Sequence, residues 1–180
     1  MNKQRIAKLV LLALAATAGA AHADLATSTF QVKLAITKTC AVTTAAPDID
    51  LGSIAATATA VNQTGSTTFK VNCSKTTPFY IGLAPSAANG GTNNGTGAMA
   101  SVANSATNTD KVPYTLYQDA GYATIWGNTA TTTAVGNGMS GTGGGMAPGV
   151  ARSFTAYAKA TNADFTPDSY IDTVTINVNY

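Results

Sequence analysis

The two cysteines, Cys40 and Cys73, are the residues whose chemistry the sequence defines best. In an exported chain an even number of cysteines predicts a disulfide. Closing a loop of this length would stabilise the fold by roughly 4 kcal/mol in the chain-entropy model. Metal binding and redox catalysis are the alternatives, but the pair lacks C-x-x-C spacing and the only histidine is His22. The sequence therefore favours a structural disulfide.

The chain contains few side chains that could act as general acids or bases. All eight acidic residues are aspartates, no glutamate is present, and His22 lies within a segment that reads as a cleaved leader. Histidine and glutamate are the commonest general acid–base side chains, and histidine is the usual ligand of catalytic zinc. We therefore expect a protein that is not an enzyme and that carries no cofactor and no metal.

Three further patterns could in principle form a site, and each has a plainer interpretation. The glycines from Gly136 to Gly141 match a dinucleotide fingerprint, but no strand precedes them and no helix follows. Asp48 and Asp50 could touch a calcium ion, although two aspartates without a further acidic neighbour are weak ligands and a solvated turn is favoured. A pair of aspartates could also cleave a glycosidic bond, but no pair is marked out by spacing or by an apolar surrounding.

The aromatic residues could form a surface for stacking on sugars. The candidates are Trp126 with Tyr114, Tyr117 and Tyr122. The alternative, which we favour, is that Tyr114, Leu116 and Trp126 pack in a core or between strands.

Residues 1–23 have the pattern of a secretory signal. A basic start is followed by the apolar stretch Leu9–Ala21 and by a small-x-small cleavage site ending at Ala23. Thirteen apolar residues are too few to span a bilayer, which needs about 20. The mature chain would begin at Asp24 and contain one domain. Its formal net charge would change from +2 to −1, since the leader holds three of the ten cations.

The remaining composition favours an assembly subunit. Charged residues make up only 10% of the sequence, against about 25% in typical soluble proteins. The nearly neutral surface gives no basic face for nucleic acid. A neutral, threonine-rich surface is prone to associate with other protein.

The elements that must position these residues are strands, because apolar residues alternate with a period of two and never sustain a helical period. The clearest alternations are Phe30–Ile36 and Val174–Tyr180. The shorter candidate strands are Thr67–Cys73, Phe79–Ala84, Val112–Gln118, Ala123–Trp126 and Phe154–Lys159. Short strands separated by turn signals predict an antiparallel sandwich. The Gly-rich stretches Asn89–Gly97 and Asn137–Gly149 are expected to be surface loops, and a helix is not excluded at Ala98–Ala106.

Several segments in order resemble the spore coat protein U domain family, and within it the major pilins of archaic (Csu-type) chaperone–usher pili. The matching segments are Val32–Ile36, Ile49–Gly52, Thr68–Cys73, Tyr114–Asp119 with Ile125–Gly127, and Asp168–Tyr180. The most specific are the Tyr-x-Leu-Tyr…Trp-Gly segment and the Tyr-x-Asp-Thr-Val-Thr ending. Leu51, where the family more often carries Phe, is one departure, and the long loop Asn137–Gly149 is another.

The resemblance implies an all-β, immunoglobulin-like antiparallel sandwich that lacks one strand and is completed by donor-strand exchange. It implies three parts: a signal peptide at 1–23, a donor-strand extension at 24–38 and a pilin domain at 39–180. It also implies a structural pilus subunit exported through the periplasm to the cell surface, supporting adhesion and biofilm formation. The implied partners are a periplasmic chaperone, an outer-membrane usher and further pilin subunits.

The sequence agrees with this expectation at both ends. The alternation of Val174, Ile176, Val178 and Tyr180 runs to the last residue with no further apolar strand to cover it, and the resemblance makes this strand the edge that pairs with the chaperone or donor. Before Cys40 lies an amphipathic stretch, and a spare strand beside an exposed edge is the setting for β-strand addition. The predicted donor residues are Phe30, Val32, Leu34 and Ile36. The alternative is that Phe30–Ile36 is simply the domain's own first strand.

Other functions compatible with the same fold remain open at this point. A tip adhesin or secreted lectin would use Trp126 and nearby tyrosines, but a tip subunit needs an extra receptor domain. A coat protein could use the same domain without forming a pilus. A good donor strand and one domain's length favour the shaft subunit.

Overall fold

The computed structural model describes residues 24–180, and the predicted signal segment, residues 1–23, lies outside the described residues. The regular structure of the described part consists of strands and two single-turn 3-10 helices, Ala87–Asn89 and Pro148–Val150. The strands are β1 (Cys40–Thr44), β2 (Gln63–Cys73), β3 (Pro78–Pro85), β4 (Thr96–Ser101), β5 (Lys111–Tyr117), β6 (Met139–Thr142), β7 (Arg152–Ala160), β8 (Tyr170–Ile171) and β9 (Val174–Asn179). Nothing in residues 24–180 forms a helix able to cross a bilayer.

The strands form two antiparallel sheets. One sheet has six strands in the order β1-β2-β7-β5-β4-β8, and the other has three in the order β6-β3-β9. Every pairing between named strands is antiparallel. The predicted all-β, antiparallel sandwich is confirmed.

Side-chain alternation explains how the two sheets share one core. On β2 the buried residues Phe69, Val71 and Cys73 alternate with Thr68 and Lys70, which are exposed, up to the strand's buried end. The remaining buried apolar residues come from both sheets and from one loop: Phe79, Ile81, Leu83, Tyr114, Leu116, Trp126, Phe154, Ala156, Ala158 and Ala160. Alternate residues of a strand point to one face, so each sheet contributes one apolar face to this core.

The local structure of several segments differs from what the sequence pattern indicated. Ala123–Trp126 is not a strand and makes only an isolated bridge between Tyr117 and Ile125. The region Ala98–Ala106 is not helical, since Thr96–Ser101 is strand β4. The predicted loops Asn89–Gly97 and Asn137–Gly149 overlap strands β4 and β6. Phe30–Ile36 is in no strand of the described structure, and its pairing with another copy stays a prediction.

Candidate functional site

The unit Ile36–Tyr180 contains an apolar groove of about 650 Å³. Its lining includes Phe69, Leu116, Ala156 and Ala158, which are core residues of the six-stranded sheet. These side chains belong to strands β2, β5 and β7, whose inward faces are adjacent in the sheet. The groove therefore lies directly over part of the sandwich core, where a further strand could lie. We call it the core groove.

Strand β9 forms one side of the core groove. Val174 and Ile176 line it, opposite Pro85 and Leu83 in the register with β3. Among the described residues 24–180, strand β9 is the last strand of its sheet and pairs only with β3. Its other edge therefore offers unpaired backbone groups, which is the usual starting point for β-strand addition.

The predicted C-terminal residues lie together on this element, with one small difference. Val174, Ile176 and Val178 are on β9, whereas Tyr180 follows the end of the strand at Asn179. All four are half-buried and pack against the core. Their incomplete burial is consistent with a face that is covered on one side only.

A second side of the core groove is formed by the irregular segment 46–51. Thr67 on β2 donates a hydrogen bond from its hydroxyl to the Pro47 carbonyl at 2.6 Å. Gly65 allows the close approach, because a Cβ atom there would lie only 2.7 Å from the Asp50 carbonyl oxygen. Ile49 and Leu51 pack against the core, while Asp50 between them is exposed. Within the described residues, no backbone–backbone hydrogen bond involves positions 48–51, so this side also offers free backbone groups.

A polar network holds the chain where it enters β9. The Asp172 carboxylate accepts hydrogen bonds from the Tyr114 hydroxyl at 2.7 Å, the Asn89 side-chain amide at 2.8 Å and the Ser86 backbone N–H at 3.3 Å. Burial, together with the Asp172 carboxylate, raises the pKa of Tyr114 far above its usual value. The network ties the start of β9 to β3 and β5, and its residues Tyr114 and Asp172 belong to the lining of the core groove.

Sequence reasoning missed this network, although both central residues lie in the most specific motifs. Tyr114 opens the Tyr-x-Leu-Tyr segment, and Asp172 belongs to the Tyr-x-Asp-Thr ending. They are 58 positions apart, and no linear pattern links them. One feature of the sequence could have indicated the network: each motif carries a polar residue, Tyr114 or Asp172, at a position where the alternation predicts a core residue.

The N-terminal segment has a different character. Residues Asp24–Ala35 are not part of the compact unit Ile36–Tyr180, and residues 24–39 are in no strand. The four predicted donor side chains are 85–89% exposed: Phe30, Val32, Leu34 and Ile36. An apolar stretch exposed to this degree is unusual and marks a surface for interaction.

The disulfide between Cys40 and Cys73 is present, as predicted. It joins the paired ends of β1 and β2, where the two cysteines face each other in the register. Thr39 reinforces this end, since its backbone N–H donates to the Ser74 hydroxyl at 2.9 Å.

The Gly-rich loop packs over this same end of the domain. The buried Asn72 side chain donates hydrogen bonds to the carbonyls of Gly145 and Ala147 and accepts one from the Thr43 hydroxyl. Gly143 must be glycine here, because a Cβ atom would lie 2.1 Å from the Ser74 carbonyl oxygen. The loop therefore serves as a cover for the disulfide end, and the dinucleotide interpretation of its glycines has no strand–turn–helix to support it.

The aromatic residues divide between core and surface. Trp126 is fully buried and donates from its indole nitrogen to the Ile81 carbonyl at 2.9 Å, so it cannot stack on a sugar. Tyr114 is also buried, as the packing interpretation predicted. Tyr117 and Tyr122 are half-buried and pack edge to face, with Tyr122 also against Tyr157.

Two other aspartates, Asp119 and Asp168, stabilise loops by accepting hydrogen bonds. Asp119 accepts hydrogen bonds from the backbone N–H groups of Gly121, Ala123 and Thr124, and these bonds lower the pKa of its carboxyl group. The Ser101 hydroxyl and neighbouring amides lower the pKa of Asp168 in the same way. Residues 24–180 contain no group of three or more Cys, His, Asp or Glu side chains arranged to hold a metal.

These features define an all-β subunit with an apolar groove beside a free sheet edge and a separate exposed apolar segment. The chain belongs to the Spore Coat Protein U domain family, whose model matches residues 26–177. The family expected from the sequence motifs is therefore confirmed.

Two further comparisons add context. The comparison with curated protein sequences found no match. Among solved structures, the chain is similar to one in the CsuC–CsuE chaperone–tip adhesion subunit pre-assembly complex from archaic chaperone-usher Csu pili of Acinetobacter baumannii. The identity is 19% and the TM-score 0.44, over 81% of this chain and 40% of that chain. This chain thus spans less than half the length of the one it matches.

Proposed function

We propose that this protein is a structural subunit of a surface pilus that polymerises by donor-strand complementation. The observation that carries the proposal is the core groove, which is apolar and lies beside the free edge of β9. A strand laid along that edge would gain backbone hydrogen bonds from β9 and fill the apolar groove at the same time.

The segment Phe30–Ile36 of another copy has the properties that such a strand needs. Seven residues in extended form span about 23 Å, enough to follow an edge as long as the six-residue β9. Its four apolar side chains would enter the groove, while Gln31, Lys33 and Ala35 would face solvent. Insertion into the groove of another copy would bury these apolar side chains, which accounts for their presence in an exposed segment.

The free energy involved is large enough to make a stable fibre. Burying four apolar side chains at about 1.5–3 kcal/mol each contributes roughly 6–12 kcal/mol before entropy costs. The whole stability of a small domain is about 5–15 kcal/mol. We therefore expect a subunit with an empty groove to be marginally stable and a filled one to dissociate very slowly.

The wider assembly route follows from the family resemblance. A periplasmic chaperone would fill the core groove before assembly, an outer-membrane usher would export the subunits, and the fibre would support adhesion and biofilm formation at the cell surface. A purely structural, non-enzymatic role is supported by residues 24–180, which contain neither histidine nor glutamate.

The substitution Leu34→Asp tests the donor role. We expect a folded subunit that does not polymerise, because the new charge would have to enter an apolar groove. Gln31→Asp is the matched control, since it adds the same charge at a solvent-facing position and should polymerise. Polymer is measured as the ladder of subunits that survives unheated gel electrophoresis. Normal polymer from Leu34→Asp would refute the donor assignment, and an unfolded Leu34→Asp subunit would identify Phe30–Ile36 as an intrinsic strand.

A coat protein that uses the same fold without forming a fibre is the second candidate, favoured by the family's description. Electron microscopy of cells with and without the gene separates the two. Fibres that disappear on deletion support the pilus, and a surface layer that is lost on deletion from cells without fibres supports the coat protein.

A further inference from the structure

The charged residues that line the core groove are all acidic. Its lining residues include Asp48, Asp50 and Asp172 but no lysine or arginine. Asp172 is half-buried and already accepts three hydrogen bonds. Asp48 and Asp50 are exposed on the segment that borders the groove.

The proposed donor carries the opposite charge. Lys33 is the only charged residue of Phe30–Ile36. It lies between Val32 and Leu34, so in an extended strand it would face solvent while its two neighbours face the core. On the border segment, Asp50 likewise faces solvent between Ile49 and Leu51, which pack inward.

Apolar alternation alone leaves the register of the inserted strand undetermined. A slip by one residue is excluded, because it would move every apolar side chain out of the groove. A slip by two residues is not excluded, because Phe30, Val32, Leu34 and Ile36 would still point inward. The floor beneath them is broadly apolar, so these slipped registers differ little in buried area.

We propose that Lys33 of the donor pairs with Asp50 of the receiving subunit and that this pair disfavours the two-residue slip that would carry Lys33 away from both Asp50 and Asp48. The inference rests on the proposed donor-strand function. The outward positions of β9 are neutral: Thr173 just before it, then Thr175, Asn177 and Asn179. The border segment therefore supplies the charged partner. Opposite charges on neighbouring strands attract at the distances of cross-strand pairs, and a two-residue slip away from Asp48 would separate Lys33 from Asp50 by about 7 Å. A slip in the other direction would place Lys33 beside Asp48 instead, and crosslinking distinguishes that register from the proposed one.

Zero-length crosslinking of the assembled native protein tests the pairing directly. A carbodiimide joins an amine to a carboxylate only when they are in contact, and mixing isotopically light and heavy subunits distinguishes bonds between copies. We expect a Lys33–Asp50 crosslink between copies. Crosslinks of Lys33 to other carboxylates only, or no crosslink of Lys33, would overturn the pairing.

Charge exchange tests its effect on assembly. At low ionic strength, Lys33→Asp and Asp50→Lys should each slow polymerisation by about fivefold, and the double variant should recover most of the rate. At about 1 M salt, where charges are screened beyond about 3 Å, the differences should shrink. Lys75→Asp and Asp164→Lys are matched controls, since both alter exposed charges that do not line the core groove.

The outcome separates this inference from the function on which it rests. Failure of the double variant to recover, or Lys33→Asp behaving like Lys75→Asp, overturns the pairing. If Leu34→Asp still blocks assembly in that case, donor-strand insertion stands and only the charge pair is wrong. Normal assembly of Leu34→Asp removes both.

Discussion

Two stretches of this chain have the same alternating pattern and opposite structures. Val174–Asn179 forms strand β9, whose apolar residues pair with β3 and face Leu83 and Ile81 across the ladder. Phe30–Ile36 alternates equally well, but it is in no strand, and its apolar side chains are at least 85% exposed. Alternation of apolar residues with a period of two therefore predicts an apolar face, but it does not predict what covers that face.

The difference between the two stretches lies in their neighbours. Strand β9 follows directly on Asp172, whose hydrogen bonds to Tyr114 and Ser86 place the chain beside β3. Nothing comparable fixes residues 24–38. The two stretches are also complementary, because one is a half-covered strand edge and the other is an uncovered apolar segment. We interpret them as the two halves of one interface between copies.

The same substitution in the two stretches should give opposite results, and this is the largest expected effect. Ile176→Asp places a charge on the half-buried face of β9 and also loses apolar burial, which alone costs about 2–5 kcal/mol. We expect this to remove most of the stability margin and to abolish the soluble subunit. Leu34→Asp should leave the subunit folded, since Leu34 is exposed in it.

Thr175→Asp is the control for β9, because Thr175 is exposed on the opposite face of the same strand. Urea unfolding followed by circular dichroism, together with the yield of soluble protein, measures the effect. Equal yields of Ile176→Asp and Thr175→Asp subunits would show that β9 does not present an apolar face, and the contrast between the two stretches would disappear.

Loss of the disulfide should come next in size. Replacing Cys40 and Cys73 by alanine is expected to lower the free energy of unfolding by about 4 kcal/mol, because the cross-link restricts the unfolded chain. Reduction of the unmodified protein is the control, since it breaks the bond and keeps both side chains. A denaturation midpoint that is unchanged in both samples would contradict a stabilising role.

The disulfide variant also sharpens the contrast between the two stretches. A donor segment needs no folded structure of its own. A peptide of residues 24–38 should therefore stabilise both the unmodified subunit and the subunit that lacks the disulfide. Thermal unfolding of the subunit with added peptide measures this. Loss of the peptide's effect on a subunit known to be folded would count against Phe30–Ile36 as a donor.

The strands that the sequence predicted are those with strong apolar alternation, such as β2, β7 and β9. Strands β4 (Thr96–Ser101) and β6 (Met139–Thr142) were missed because they consist of Gly, Ala, Ser, Thr and Met, with no aromatic or aliphatic branched residue. They become strands through their neighbours, since β4 lies between β5 and β8 and β6 lies beside β3. Tertiary pairing overrides weak strand propensity in such cases.

The candidate site was predictable only in part. The alternation identified the apolar face of β9, and the family resemblance supplied the idea of a missing strand. The border segment 46–51 and the contact of Tyr114 with Asp172 were not predictable, because both depend on residues brought together by the fold from distant positions. Ala123–Trp126 misled for a local reason: Asp119 holds Gly121 to Thr124 in a tight loop through backbone N–H groups.

A smaller effect is expected at the disulfide end, where Asn72 anchors the Gly-rich loop. Asn72→Ala removes three hydrogen bonds and leaves the buried carbonyl of Gly145 without its side-chain donor. We expect a loss of about 1–3 kcal/mol and faster hydrogen exchange in residues 143–147. Asn94→Ala, at an exposed position, is the control and should change neither. A stable Asn72→Ala variant with a protected loop would show that the loop is held by other contacts.

The smallest expected effect concerns Tyr114, and it appears as a loss of stability at alkaline pH. Burial and Asp172 raise the pKa of Tyr114 in the folded state, whereas an unfolded tyrosine titrates near pH 10. Above that pH the unfolded chain releases a proton that the folded chain retains, so stability falls by about 1.4 kcal/mol for each pH unit. Below pH 10 the contribution is fully present.

The Tyr114→Phe variant measures this contribution, because it cannot ionise at that position. Its free energy of unfolding in urea should fall less steeply than that of the wild type between about pH 10 and pH 11. Residues 24–38 contain no tyrosine, so the difference belongs to the folded body and to the network that holds β9. Parallel slopes for the two proteins would mean that Tyr114 ionises without unfolding, and that the Asp172 network opens more readily than its three hydrogen bonds suggest.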